Sequence, residues 1–282
     1  MIREAVIGDE AQIEAYLATH FTTAMFMRGN LRDFGIGNTE APYGMRYFIR
    51  GKGEITGIGG VGNGGAVMLQ ASHSPDEIVA RMRAALPEGF APTVTTGAPE
   101  MVAAIMEGFG VSDAPTQMNE IEPLFLLPKT NLKRPDMTGF ALRPSTMDDL
   151  PLLAEWNHNY DIEVLGMADS TESRKETFAT AKRTIEQGRQ RLLLKDGEVV
   201  AQTNFSAAMP DAVQVGGVYT PPCGRGRGFA RRAVAAHLDE AFAAGVEHAI
   251  LFSASESASK AYRSVGFERV GAYQIVLFGG TP

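Results

Sequence analysis

Cysteine is almost missing from this sequence. Cys223 stands alone, which excludes an intrachain disulfide framework and a cysteine-rich zinc site and suits a reducing compartment. A basic surplus is missing too. The chain has 26 Lys and Arg against 33 Asp and Glu, a formal net charge of −7, which argues against a dedicated nucleic-acid binder. No apolar run approaches the ~20 residues that cross a bilayer. The opening MIREAVIGDE is charged and lacks the apolar core of a signal peptide. The histidines His20, His73, His158, His237 and His248 are scattered and show neither H-E-x-x-H nor H-x-x-E-H spacing, so no metal is expected. What remains is an ordinary globular composition, 44% hydrophobic and 21% charged over 282 residues. That rules out wholesale disorder and allows one large or two ordinary domains. The expectation is a soluble, cytoplasmic, acidic protein with no nucleic-acid or membrane partner.

The segment Leu127–Gly139, LPKTNLKRPDMTG, has two prolines, three basic residues and little apolar content. It reads as an exposed connection between domains 1–128 and 139–282. In the second half, Phe140–Arg143 reads as a strand, and Asp148 or Asp149 as the cap of a helix through Leu152, Leu153 and Trp156. A helix follows over Ser173–Gln187. Asp196-Gly197 splits two apolar runs, a hairpin-turn signal. Val213–Tyr219 reads as a strand whose Gly216-Gly217 pair marks a bulge. Ala230, Val234, Leu238, Ala241 and Phe242 lie at helical spacing. His248–Ser253 and Val270–Phe278 read as strands around a short helix ending at Gly266. The first half follows a similar plan. Strands are expected at Ile2–Val6, Tyr47–Arg50, Ile55–Val61, Ala66–Leu69, Thr93–Thr96 and Ile121–Leu127. Helices are expected from Asp9, from Ser74 or Pro75, and around Val102, Ile105, Met106 and Phe109. Gly108-Phe109 before its last strand echoes Gly266-Phe267, which suggests a duplicated α/β or α+β fold.

The segment Val218–Arg232, VYTPPCGRGRGFARR, carries the chemistry. Between a strand and a helix, Gly226 and Gly228 leave no side chain to block an approaching phosphate. Loop N–H groups and the first turn of the helix converge on one concavity at the positive end of the helix dipole. Ala230 keeps the helix start slim, and Arg225, Arg227, Arg231 and Arg232 surround it with positive charge. Downstream, Ser255, Ala258, Tyr262, Gly266 and Phe267 stand in a fixed register.

Arg225-x-x-Gly228-x-Ala230 resembles motif A of the GNAT superfamily of acyl-CoA-dependent N-acyltransferases, written Arg/Gln-x-x-Gly-x-Gly/Ala. The downstream register resembles that family's Asn-x-x-Ala-x-x-x-Tyr-x-x-x-Gly-Phe, with Ser255 where Asn is usual. The resemblance covers about Gly139 to Phe278. It implies two tandem GNAT-like domains, each a mixed, mainly antiparallel sheet flanked by helices. The first is degenerate: QASHSPDE after Leu69 holds no glycine cradle, and Ala104 stands where Tyr262 stands in the second half. It further implies acetyl-CoA as cofactor, held by Val218, Tyr219, Thr220, Arg225, Gly226, Arg227, Gly228, Phe229, Ala230 and Ser255. Tyr262 is then the catalytic acid that protonates the departing thiolate.

A small-molecule primary amine would attack directly, with a backbone N–H near Val218 or Tyr219 stabilising the oxyanion, in a monomer or homodimer. Many members carry a carboxylate base on the strand before motif A, but Val213–Val218 holds none. Asp161, Glu163, His158 and solvent all remain candidates. Trp156 and Tyr160 are candidates for the acceptor pocket or for the core. Two alternatives stay open: a CoA-binding sensor without turnover, and a tandem acyltransferase of a thiol or cell-wall precursor pathway. A covalent route through Cys223 is the less favoured path. His237 reads as a helix-surface residue. Gly57-x-Gly59-x-x-Gly62 meets the dinucleotide fingerprint in form, but Asn63-Gly64 follows where a helix should open. A β-hairpin with a glycine-rich edge is expected there.

Overall fold

The computed structural model describes residues 1–279, so the last three positions of the expected domain 139–282 lie outside the described residues. Ten elements run through the first half: β1 (Ile2–Glu4), α1 (Glu10–Ala18), α2 (Phe21–Phe34), β2 (Met45–Lys52), β3 (Glu54–Gly62), β4 (Ala66–Ala71), α3 (Pro75–Ala84), β5 (Val94–Gly97), α4 (Pro99–Phe109) and β6 (Thr116–Pro128). Ten more follow: β7 (Phe140–Pro144), α5 (Leu150–Leu165), α6 (Thr171–Glu186), β8 (Gln190–Lys195), β9 (Glu198–Ala208), β10 (Ala212–Tyr219), α7 (Phe229–Ala243), β11 (His248–Phe252), α8 (Glu256–Val265) and β12 (Glu268–Phe278). The order βααβββαβαβ is the same in both sets, so the duplication inferred from Gly108-Phe109 and Gly266-Phe267 extends to every element.

The chain forms two compact units. One holds Met1–Glu122 and takes in the chain again from Ala272; the other holds Pro123–Gly271. In the first unit the strand order is β1-β2-β3-β4-β5-β12-β6. Neighbours are antiparallel up to β4, and β4 and β5 are parallel. In the second the order is β6-β11-β10-β9-β8-β7, with β10 and β11 as the parallel pair and the rest antiparallel. The end of each half's final strand thus belongs to the other unit. Ala272–Phe278 of β12 join the first, where Val276 pairs with Thr95. Pro123–Pro128 of β6 join the second, where Ile250 pairs with Leu126.

The second unit's core forms between the sheet and two helices. Phe125 and Leu127 of β6, Val213 of β10, Val234 and Leu238 of α7, and Val265 of α8 are all buried together. Side chains of this size contribute ~1.5–3 kcal/mol each when fully removed from water. The segment 127–139 is more firmly held than its composition suggests. Leu132 is buried, the N–H of Lys133 donates to the Val265 carbonyl at 2.8 Å, and Arg134 pairs with Asp239 at 2.5 Å. Its charges sit on the solvent side of a strap.

Other readings need correction. Helix α2 was not expected, because buried Arg28, paired with Glu14 at 2.6 Å, interrupts its apolar stripe. The glycine-rich strand β3 is no edge: it lies between β2 and β4. Its glycines admit α3. A Cβ on Gly57 would come within 2.6 Å of Ile78 Cδ1, and one on Gly59 within 2.5 Å of Met82 Sδ. His237 is buried, not on the surface, and stacks on Phe205 with ring centroids 3.7 Å apart. Burial pushes its pKa down to about 3.

Candidate active site

The site begins where β10 and β11 part. They pair in parallel only at Ala212, Val213 and Gln214. β10 then runs on to Tyr219 with irregular pairing to β9 on either side of Gly216. Gly217 adopts φ 56° there, so the expected bulge is present. Past this point the chain makes a short turn at Pro222–Gly224, which carries the exposed thiol of Cys223. It then enters α7 through Gly228, whose φ of 73° is left-handed.

All eleven residues singled out from the sequence line one cleft of about 720 Å³: Val218, Tyr219, Thr220, Arg225, Gly226, Arg227, Gly228, Phe229, Ala230, Ser255 and Tyr262. Their side chains do different things. Phe229 faces inward and meets Phe140 edge-on at 5.8 Å, so it can offer the cleft only its backbone. Tyr219 packs on Trp156 at 5.8 Å, which makes Trp156 a core residue. Ser255 caps α8, its Oγ accepting from the Ala258 N–H at 3.1 Å. Tyr262 is 9% exposed and meets Phe267 edge-on.

The arginines also divide. Arg225 donates to the Thr220 carbonyl at 3.0 Å and to Glu163 Oε2 at 2.6 Å, so a carboxylate already meets its charge. Arg232 donates to the Asp136 carbonyl and lies over Phe140. Arg227 lies over Phe229 at 4.9 Å. Arg231, which the sequence marked only as nearby charge, lines the cleft and has a buried Nε without a hydrogen-bond partner. That Nε is 2.9 Å from where a Cβ on Gly228 would stand. Among the described residues, the N–H groups of Gly226, Arg227 and Gly228 find no main-chain acceptor. The next three open α7, where N–H groups have no partner within the helix. Unspent donors, a buried guanidinium N–H and a helix N-terminus thus lie along one wall of the cleft, and a Cβ on Gly228 would crowd the guanidinium. This arrangement suits a phosphate or diphosphate.

A smaller chamber of about 120 Å³ lies beside the bulge, lined by Asn157, Tyr160, Asp161, Thr177, Thr180, Thr184, Gln190, Asn204 and Gly217. Tyr160 lines both spaces. The three base candidates separate here. Glu163 is paired with Arg225. His158 is buried and its Nε2 bonds Asp169 at 3.0 Å. Asp161 stands in the chamber with Thr177 Oγ1 3.4 Å from its Oδ2. Burial pushes the Asp161 carboxyl up to about 6, opposed by the Thr177 bond and by His158. Sequence reasoning missed the buried amides of the neighbouring strands. Gln190, Gln202 and Gln214 are all at most 1% exposed. Gln202 donates to Asn157 Oδ1 at 2.6 Å and to the Gly217 carbonyl at 3.1 Å. The available signal was a neutral amide on each of three neighbouring strands, where burial demands a partner.

Residues 152–267 match the Acetyltransferase (GNAT) family. No curated protein matches the sequence. Among solved structures, a GCN5-related N-acetyltransferase from Kribbella flavida is similar over 98% of each chain, with TM-score 0.59 and 16% identity. A tandem GNAT protein from the clavulanic acid biosynthesis pathway is similar over 100% of this chain and 99% of its own, with TM-score 0.56 and 14% identity. A GCN5-related N-acetyltransferase from Sphaerobacter thermophilus is similar over 100% and 96%, with TM-score 0.54 and 16% identity. At these identities the likeness is one of fold. No helix among the described residues is long and apolar enough to cross a membrane.

Proposed function

We propose that this chain, which carries a GNAT acetyltransferase-family domain at residues 152–267, is an acetyl-CoA-dependent N-acetyltransferase whose acceptor, a primary amine, attacks directly. Family membership of that domain supports acyl transfer from acyl-CoA in general; the amine acceptor and the residue roles are our reading. The observation that carries it is the unpartnered Arg231 Nε beside Gly228, at a concavity of unspent N–H donors.

When bound, acetyl-CoA supplies an acyl group activated as a thioester. The chain's part is to grip, align and move protons. N–H groups from Gly226 to Ala230, with Arg231, hold the diphosphate. The stretch Val215–Tyr219 has no partner on β11, so its main chain is open to an amide-bearing arm and to the oxygen that gains charge. Removing one donor of that kind costs ~3–4 kcal/mol of barrier in other acyl-transfer enzymes. Tyr262, on the wall of the same cleft, is the proton donor to the leaving sulfur, a role worth about 10²–10⁴-fold.

Calorimetric titration with acetyl-CoA, on the parent and on Gly228→Arg, tests the cradle. The parent binds and the variant does not; equal affinity overturns the reading. Release of free CoA with amino acids, polyamines, aminoglycosides and peptides then tests turnover.

A further inference from the structure

Resting on the acyl-transfer reading above, we propose that the chamber beside the β10 bulge seats the amine end of the acceptor. Asp161 takes the ammonium proton there, and the acceptor class is compact primary amines that carry a hydroxyl near the nitrogen and no carboxylate.

The base has to come from somewhere other than β10, since Val213–Val218 holds no acid. Asp161 lines the chamber together with Gly217, the residue at which β10 departs from regular pairing. Tyr160 lines this chamber and the larger cleft alike. An amine beside Asp161 therefore lies next to the stretch of β10 that the thioester would occupy. The alternatives are committed: Glu163 to Arg225 and His158 to Asp169. Burial already holds the Asp161 carboxyl near 6, which suits a group that must be ionised when the ammonium arrives and accept its proton at neutral pH.

The lining selects the ligand. Every side chain on it carries a polar atom, and none is Lys or Arg. Gln190 Oε1 and Asn204 Oδ1 are buried acceptors without a hydrogen-bond partner, and Gln190 is only 1% exposed. Two free acceptors and a carboxylate call for N–H and O–H donors. A carboxylate on the ligand would meet Asp161 with no cation to offset it. Nor does an alkyl chain fit, because it would leave Gln190 and Asn204 unpaired. The volume, about 120 Å³, resembles the ~150 Å³ that takes up a benzene molecule in an engineered cavity, so the inserted part has about half a dozen heavy atoms.

The protons balance. The ammonium nitrogen gives one to Asp161, which passes it to water. The freed lone pair forms the N–C bond as the C–S bond breaks. The nitrogen's second proton returns through solvent to Tyr262, which has protonated the sulfur. The products are the amide, free CoA and one proton.

The test pairs 2-aminopropan-1-ol with alanine and with butylamine. Without any acyl donor, the amino alcohol raises the thermal midpoint of the full chain and the other two do not. With acetyl-CoA, its kcat/KM exceeds theirs by at least about 10²-fold, within the limit of about 10⁴–10⁵-fold by which a site built to hydrogen-bond a hydroxyl rejects a ligand that lacks it. Asp161→Asn lowers kcat/KM by about 10²–10³-fold and removes the acid limb near pH 6, leaving a rate that climbs with the amine's own ionisation. The titratable groups beside Asp161, His158 on its own helix and Tyr160 on the chamber wall, remain in that variant. Gln190→Met erases the preference for the amino alcohol over butylamine. Equal rates for the three amines, or an unshifted pH profile in Asp161→Asn, overturn the proposal. Acetyl-CoA affinity, measured alongside, separates the two failures. If acetyl-CoA binds and the amino alcohol neither binds nor reacts, the chamber assignment falls alone. If acetyl-CoA does not bind, the acyl-transfer reading falls, and the midpoint shift still decides whether the chamber takes an amino alcohol.

Discussion

Gly228→Ala tests the cradle with the smallest possible change. The residue stands at φ 73°, where an L side chain costs roughly 1–2 kcal/mol. The new Cβ would lie 2.9 Å from Arg231 Nε and 3.0 Å from Arg232 Nη1. Both atoms belong to long side chains that can move aside, so the folding penalty stays near that backbone cost. Binding suffers more. The Arg231 Nε is pushed away, and a methyl stands where a phosphate oxygen would approach. A hydrogen bond to a charged group is worth about 1.5–3 kcal/mol, so the acetyl-CoA dissociation constant is expected to rise about 10- to 150-fold. Gly197→Ala is the control. It has φ 89° and no heavy atom within 4 Å of its Cβ position, and it sits in the turn between β8 and β9. It carries the same strain at a distance from the cradle. Calorimetry for affinity and urea unfolding for stability give the comparison. If both variants lose similar stability and both keep the parent's affinity, the concavity at Gly228 does not hold the cofactor.

Three other outcomes follow from named contacts. Tyr262→Phe keeps the buried ring against Phe267, so stability and acetyl-CoA affinity are expected to hold while kcat falls about 10²-fold; a parental kcat removes Tyr262 from the role of acid. Asp161→Asn is expected to stabilise the fold above pH 6. The folded carboxyl titrates at about 6 against 3.8 for the unfolded group, so the ionised form is disfavoured in the folded state and its penalty fades as pH falls toward 4. Allowing for partial solvent screening, the gain is about 1–2 kcal/mol, and urea curves at pH 7.5 and pH 4 that show no difference would refute it. Deleting Met1–Pro128 removes Phe125 and Leu127, both 0% exposed, and uncovers the edge of β11 that pairs with β6. Each side chain is worth ~1.5–3 kcal/mol, so the remaining fragment is expected to lack a cooperative unfolding transition, and a well-folded fragment would show that β6 is dispensable to the second unit.

The sequence made legible what depends on local chemistry. The Asp196-Gly197 turn, the Gly216-Gly217 bulge and the Gly228 entry to α7 are each written in one or two residues. Nine of the residues marked for the cleft, Val218–Thr220 and Arg225–Ala230, line one space because a strand, a loop and the start of a helix are contiguous in the chain; Ser255 and Tyr262 join them from α8 and its cap. What stayed hidden depends on distant partners. Arg28 reads as a surface residue until Glu14 is beside it. His237 sits at a helix position that gives no hint of Phe205 beneath it. The ends of β6 and β12 carry no residue that says which sheet they complete. The smaller chamber draws on α5, α6, β8, β9 and β10 at once, so no single segment announces it.

The two units show how a shared frame can carry a long loop in one copy and a short link in the other. Both have a parallel strand pair at the same place in the order, β4 with β5 and β10 with β11. In the second unit nine residues, Thr220–Gly228, separate β10 from α7, enough chain for successive N–H groups to turn toward one point. In the first, only Ser72–Ser74 separate β4 from α3. Arg50 donates to the His73 carbonyl within that short link. α3 is drawn onto β3, where Gly57 and Gly59 leave room for Ile78 and Met82. Helix packing thus takes the place that the long loop holds in the second unit. Ala104, on the helix corresponding to that of Tyr262, offers no phenol. These three differences are separate in sequence and in kind: loop length, helix seating and a missing hydroxyl. Restoring any one of them leaves the other two in place. On the proposed reading, the chemistry is therefore concentrated between β10, α7 and α8 of the second unit, and the first contributes its core to the fold.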